Sequence, residues 1–352
     1  MSFIVNGHNI FVILITTFLT SLLFVPIAKR IAIHVGAVDK PNKRRVNSVA
    51  MPTQGGLAIF ASFILGFILF GGLNYQMIAI LIGGFILIIT GLIDGINSIR
   101  ALHKMLAQIV AAAIVVIYGG IYLTEVSFLG INFLMPQILG YITSIIFIVA
   151  IINAINLIDG LDGLCGGISS IYFATIAIIA LVLNKIGGLD IILALIMLGA
   201  TIGFLFHNFP PAKIYLGDTG SMFLGYMISV IALLGFKVAT LTSLVIPLLT
   251  LSIPIFDTTL AILRRKLKGQ SIGEPDKEHF HHQLLKMKFT TKVTIFIIYT
   301  IDILFATASI LYAVGNQQYA VIVYVLLLLI LIFLILKTDI LFEHAKKSKN
   351  KK

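Results

Sequence analysis

Charge is scarce in this chain. Asp, Glu, Lys and Arg make up 11% of its 352 residues, hydrophobic residues make up 59%, and the mean hydropathy is +1.09. So little charge excludes a water-soluble globule of this size. Cysteine is scarcer still: the single Cys165 excludes an internal disulfide framework and leaves few soft ligands for a zinc site. No GxxxxGK[ST] occurs, which counts against a nucleotide hydrolase of the P-loop type. No Lys or Arg precedes the first apolar run, so an uncleaved span is expected there and not a cleaved signal peptide.

Long apolar runs are what the chain has instead. A membrane-crossing helix needs roughly 20 apolar residues, and about eleven segments qualify: 8–28, 55–72, 77–93, 105–123, 137–155, 165–184, 190–207, 221–237, 240–263, 293–314 and 319–337. The expected fold is an all-α, polytopic membrane helix bundle in one domain, 1–337, with a basic tail at 338–352. If the N-terminus lies outside, only Lys185 and Lys237 of the 25 Lys and Arg fall on the outer face. The positive-inside rule then puts the C-terminus and the loops 29–54, 94–104, 156–164, 208–220 and 264–292 in the cytoplasm. The net charge of +11 is read as topology signals and contacts with anionic lipid and phosphate, with no nucleic-acid partner.

Carboxylates share the basic face. Of the fourteen, only Glu125 and Asp190 fall in outer loops, and Asp302 lies inside the tenth span. Carboxylates to hold a metal and cations to hold phosphates are what a site for a metal-bound diphosphate requires. Five islands carry them. The loop VDKPNKRRVNSVAMPTQGG crowds Lys40, Lys43, Arg44 and Arg45, either an orientation signal or a phosphate grip. GLIDGINSIRALHKMLAQ sets Asp94 ten residues before Lys104, although a lone Asp at a span end is often only a cap. NAINLIDGLDG joins Asn153 and Asn156 to Asp159 and Asp162, hard oxygen ligands suited to Mg²⁺ or Mn²⁺. KIYLGDTGS places Asp218 between two glycines and two hydroxyl residues. Finally, Asp257, Arg264 and Arg265 precede His279, His281 and His282, imidazoles better suited to phosphate than to zinc.

In this order the islands resemble the polyprenyl-phosphate N-acetylhexosamine-1-phosphate transferase family, glycosyltransferase family 4. The resemblance rests on DKPNKRR with PTQGG, LID with Lys104, NAINLIDGLDGL, LGDTGS, FDTTLAILRR and PDKEHFHHQLL, and it covers most of the chain. It implies ten or eleven helices and an active site on the cytoplasmic face of the bacterial plasma membrane. The implied reaction moves a sugar phosphate from a UDP-N-acetylhexosamine to undecaprenyl phosphate with release of UMP. It also implies Asp218 as the principal Mg²⁺ ligand with Asn156 beside it, Asp159 and Asp162 in the metal and nucleotide environment, and Lys104 on the diphosphate. Asp94 matches the first of a pair of aspartates. Asp94, Asp159, Asp162 and Lys104 are thus the catalytic candidates. The substrate-binding candidates are Lys43, Arg44, Arg45, Asn153, Asn156, Arg264, Arg265, His279, His281 and His282.

The first basic loop and the HxHH element look like the branch that uses UDP-N-acetylglucosamine to initiate a cell-envelope glycopolymer such as teichoic acid, O-antigen or capsule. Three positions depart from the family pattern: Gly95 replaces the second aspartate, Asn47 a histidine and Ser98 an acid. They keep open a catalytically impaired, lipid-phosphate-binding paralogue, as the phospho-MurNAc-pentapeptide transferase branch is kept open for the donor. A transporter would use Asp257 and Asp302, but the motif order shows no clear inverted repeat. Oligomeric state is open in the sequence, a homodimer included.

Overall fold

The computed structural model describes residues 3–39, 50–128, 131–183, 188–237, 250–267, 279–315 and 317–337. Helices dominate them. In chain order they are α1 (Ile10–His34), α2 (Gly56–Gly66), α3 (Tyr75–Ile96), α4 (Ala101–Ala113), α5 (Gln137–Leu157), α6 (Leu164–Val182), α7 (Leu189–Asn208), α8 (Gly217–Lys237), α9 (Ser252–Leu267), α10 (Phe280–Lys286), α11 (Thr291–Val314) and α12 (Gln317–Lys337). Among the described residues, 8 helices are long and apolar enough to cross a membrane. Two more apolar helices, α2 and α12, are shorter over their described residues. The chain is an all-helical, multi-pass membrane protein. The ninth expected span, 240–263, begins outside the described residues, and α9 forms its second half.

Apolar sequence with scattered small residues explains how these helices pack. Lipid tails are as apolar as leucine, so association depends on close van der Waals fit and interhelical hydrogen bonds. Helix α1 lies against α7 and α2. Gly199 and Gly203 of α7 face Thr17, Phe18 and Ser21 of α1 so closely that a Cβ at either glycine would collide with it. Ser62 of α2 donates to the Thr17 carbonyl at 2.6 Å. Helix α8 is the hub, packed on α5, α3, α2 and α7, and 89% of its span is buried.

Two kinds of feature were not expected from the runs of apolar residues, π-helical turns and short β-ribbons. Helix α2 and helix α4 each continue into a π-helical turn, Phe67–Gly71 and Ile114–Tyr118. Strands β1 (Ile4–Val5) and β2 (His8–Asn9) precede α1 as a short ribbon. Beyond the Val38–Asp39 strand (β3), which pairs antiparallel with Met51–Pro52 (β4), a third ribbon joins β5 (Glu125–Phe128) to β6 (Ile131–Leu134). The β3–β4 pair matters most for function. It closes the two ends of the basic loop together at the foot of α2.

Candidate active site

The site is assembled on the first turn of α8. The PTQGG and LGDTGS segments zip together through their backbones: Tyr215 N donates to Pro52 O at 2.8 Å, Gly55 N to Tyr215 O at 2.9 Å and Gly56 N to Leu216 O at 3.0 Å. Gly217 turns the chain into α8 at φ +70°, where a side chain would be strained and would strike the Thr53 carbonyl. Gly56 from α2 and Gly91 from α3 close on the next residues, Thr219 and Gly220, from two sides. Asp218 therefore projects from a turn whose backbone is fixed.

Three distant segments meet at that carboxylate. Lys104 Nζ, at the start of α4, lies 2.6 Å from Asp218 Oδ2 and 2.7 Å from Asp94 Oδ2, at the end of α3. All three side chains are half-buried, with 15–25% of their surface exposed, so their charges interact more strongly than on an open surface. Asp94 also caps its own turn: its Oδ1 accepts from Ile99 N at 2.9 Å. The cap and the ion pair use different oxygens of one carboxylate. Asn156 completes the group, its Nδ2 donating to Asp218 Oδ1 at 3.1 Å and Ser221 Oγ at 2.8 Å.

The rest of NAINLIDGLDG divides its work. Asn153 does not join this cluster; its amide donates to Gln108 Oε1 at 2.7 Å and to the Val149 carbonyl at 2.8 Å, tying α5 to α4. Asp159 leaves the end of α5 in a crowded position. Desolvation there, then the negative charges of Asp218 and Asp162, push its carboxyl up to about 8. Asp162 accepts from Ala212 N at 3.0 Å, and Gly163 N donates to Asn208 Oδ1 at 2.9 Å, so this loop is pinned to the one that leads into α8. Tyr299 of α11 holds it from the other side by donating to the Gly163 carbonyl at 2.5 Å. Gln108, Asn208 and Tyr299 were not singled out in the sequence, whereas Ser221 is one of the two hydroxyl residues of LGDTGS. Of the three, Asn208, an amide ending an apolar helix, offered a signal.

A second cluster lies beside the same loop. Asp257 of α9 takes two donors from the start of α10: His279 Nδ1 stands 2.9 Å from its Oδ2, and Phe280 N donates to its Oδ1 at 2.9 Å. The carboxylate thus caps α10 and orients the His279 ring. His281 packs on Gly160, where a Cβ would meet its Nε2 at 2.6 Å, and its ring runs parallel to that of His279 at 5.7 Å between centroids. Burial first, then the charge of His282, drive the His281 imidazole down to about 3, against a smaller opposing pull from Asp257 and with His279 adding to the fall. It is neutral at physiological pH, and its Nε2 has no hydrogen-bond partner among the described residues. His282 lies against His281, with centroids 4.2 Å apart. Arg264 and Arg265 are buried at the end of α9. Lys43, Arg44, Arg45 and Asn47 lie outside the described residues, between the paired ends of β3 and β4. Asp302 is fully buried in α11, with neither carboxylate oxygen partnered among the described residues.

The donor set fits a divalent cation of the Mg²⁺ type. Among the described residues no three His, Cys, Asp or Glu side chains could enclose a metal by themselves. Mg²⁺ does not require that, because it keeps waters and takes one or two carboxylates together with substrate phosphates. Asp218 offers such a carboxylate, with Asp159 within electrostatic reach. The Asn156 donors already face Asp218 and Ser221, which leaves its amide oxygen as the atom to meet a cation.

The chain has relatives among known proteins. Residues 77–236, which include Asp94, Lys104, Asn156, Asp159, Asp162 and Asp218, match glycosyl transferase family 4. The chain is 41% identical over 309 residues to a probable undecaprenyl-phosphate N-acetylglucosaminyl 1-phosphate transferase of Bacillus subtilis (strain 168), covering 86% of this chain and 84% of the relative. It is 30% identical over 301 residues to the decaprenyl-phosphate N-acetylglucosaminephosphotransferase of Mycobacterium tuberculosis (strain CDC 1551 / Oshkosh), covering 77% and 74%. A Salmonella typhi undecaprenyl-phosphate alpha-N-acetylglucosaminyl 1-phosphate transferase is 30% identical over 293 residues, covering 79% and 77%. With most of its length matched and its polar islands converging at one end of the bundle, the chain belongs to the polyprenyl-phosphate N-acetylhexosamine-1-phosphate transferases of glycosyl transferase family 4.

Proposed function

We propose that the protein transfers N-acetylglucosamine-1-phosphate from UDP-N-acetylglucosamine to undecaprenyl phosphate, releases UMP, and so begins a cell-envelope glycopolymer at the cytoplasmic face of the plasma membrane. The observation that carries this reading is the Lys104 ammonium held between Asp94 and Asp218, with Asn156 on the second oxygen of Asp218. Cation and carboxylates side by side suit a metal-bound diphosphate better than either sign alone.

In the transfer, an oxygen of the lipid phosphate attacks the sugar-bearing phosphorus of the donor. A P–O bond forms there, the bond to the bridging oxygen breaks, and UMP leaves. A phosphate monoester has a second pKa near ~6, so the acceptor is already largely the dianion at neutral pH. No strong base is needed, and Asp94, engaged by Ile99 N and Lys104, acts by holding position and charge. Asp218 and the Asn156 oxygen would hold the cation; when bound, it neutralises charge building on the diphosphate. Lys104 supplies a fixed positive charge at the same place, which stabilises that charge without reorganisation. The neutral His281 offers Nε2 to a phosphate or sugar group beside Gly160, while Asp257 keeps His279 oriented. The loss of charge at Gly95, Asn47 and Ser98 is compatible with turnover because the remaining groups suffice for positioning and neutralisation.

UMP release tests this reading. Purified protein with undecaprenyl phosphate and Mg²⁺ is expected to release UMP from UDP-N-acetylglucosamine and not from UDP-MurNAc-pentapeptide, with chelation abolishing the signal. Release from the muramyl donor instead would move the protein to the peptidoglycan branch.

A further inference from the structure

Gly95 sits in the last turn of α3, where glycine weakens a helix relative to alanine. Its surroundings give the reason. Gly91 and Gly95 are four residues apart and share one face of α3. A Cβ on Gly91 would run into the backbone of Thr219, so that glycine lets α3 close on the turn bearing Asp218. A Cβ on Gly95 would run into Gln54 Nε2, with Gln54 Cδ 3.2 Å and Ala37 Cβ 3.6 Å away. The carboxamide of Gln54 fills the space into which a side chain at position 95 would project.

Both sides of Gln54 are anchored. Thr53 donates from its N and its Oγ1 to the Ala37 carbonyl, each at 3.1 Å, and Gly55 N donates to Tyr215 O at 2.9 Å. Gln54 itself is 1% exposed, and its Oε1 has no hydrogen-bond partner among the described residues. A buried acceptor without a donor is costly. A side chain needed only to fill space would be better apolar.

We infer that Gln54 is a positioning residue for the transfer reaction: its carboxamide seats the inner end of α3, fixes Asp94 against Lys104 and Asp218, and requires glycine at position 95. The inference rests on the reaction proposed above. Its neutral amide stands where the resemblance places a second aspartate, which accounts for a working site with one carboxylate fewer. The polar end, not the volume, is what the site uses.

Three single variants of the full-length protein test this. Gln54→Ala removes the amide, Gln54→Met keeps the volume without it, and Gly95→Ala pushes the amide aside, since its far end is free to rotate and the backbone is not. A misplacement of about 1 Å in a catalytic group can cost about a hundredfold, so each variant is expected to lower kcat by about tenfold or more. KM for UDP-N-acetylglucosamine is expected to stay within about twofold. The double variant Gln54→Ala, Gly95→Ala should fall no further than the worse single, because both remove the same group from the same place. Full kcat in Gln54→Met, or losses that multiply in the double variant, would overturn the inference. Thermal unfolding of the four proteins in detergent gives a second reading of the same cycle. If the wild type releases no UMP, the transfer reading fails by itself, and additive shifts in the unfolding midpoint would then overturn the Gln54–Gly95 coupling separately.

Discussion

Replacing Lys104 by methionine removes the charge that, among the described residues, bridges Asp94 and Asp218, while keeping most of the side chain's volume. Exposed ion pairs contribute about 0–1 kcal/mol, and breaking a buried pair costs about 3–5 kcal/mol. Lys104 is 25% exposed and meets two carboxylates that are 15% and 25% exposed, at 2.7 and 2.6 Å. Its position between the two classes puts the loss near ~2–3 kcal/mol after allowance for solvent screening. That is the loss of folding stability that thermal unfolding reads; transfer loses the fixed charge on the diphosphate, and because removing one preorganised electrostatic donor costs about 10²–10³ in rate, kcat/KM should fall by about a hundredfold or more. The assay is UMP release by purified protein, with thermal unfolding in detergent as the control for folding. A companion variant separates charge balance from chemistry. Lys104→Met leaves two carboxylates facing each other, and adding Asp94→Asn relieves that repulsion. The double variant should therefore recover thermal stability but not turnover. Lys104→Met within about threefold of wild type in kcat/KM would refute the reasoning, because a bridging cation with no effect on transfer is only structural.

Other tests address the cation, the histidines and the topology. Asp218→Asn is expected to abolish Mg²⁺-dependent transfer in a protein that still inserts and unfolds cooperatively; retained activity would show that the cation is held elsewhere. His281 is held neutral in the fold down to about 3, whereas an unfolded imidazole takes its proton near 6.5, so between those values the unfolded state binds more protons. Its contribution to stability is therefore complete above pH 6.5 and is lost as pH falls toward 3, and His281→Gln should flatten the thermal midpoint against pH in that window. Single cysteines at Arg45, Asp159 and His281, placed in a Cys165→Ser background, should resist an impermeant thiol reagent added to intact cells; labelling from outside would overturn the cytoplasmic assignment.

The helices were legible because long apolar runs leave few alternatives in a membrane, and the spans placed at 77–93, 137–155 and 293–314 lie inside α3, α5 and α11 or within a residue of them. The π-helical turns after α2 and α4 were not, since a shift from α to π hydrogen bonding changes no hydrophobic pattern. The β5–β6 ribbon also escaped, because two strands of four residues each carry little periodic signal in so apolar a chain. At the site, residue types and their motifs were readable but their partners were not. Asp94, Lys104 and Asp218 come from three helices, and no spacing rule says that one ammonium will bridge both carboxylates. Asn153 and Asn156 illustrate the limit: three residues apart in one motif, they turn to Gln108 and to Asp218. The glycines of PTQGG read as the end of a loop, whereas Gly56 is where α2 touches the first turn of α8. Gln54 stands inside the PTQGG motif, but nothing in that motif says that its carboxamide fills the space beside Gly95.

Mass analysis of the lipid product tests the central claim most directly. Purified protein incubated with UDP-N-acetylglucosamine, undecaprenyl phosphate and Mg²⁺ should yield undecaprenyl diphosphate N-acetylglucosamine in step with UMP, and neither after chelation. Folded protein that forms no lipid-linked sugar from any UDP-N-acetylhexosamine, with Mg²⁺ or Mn²⁺ present, would contradict the account and leave a lipid-phosphate-binding paralogue in its place.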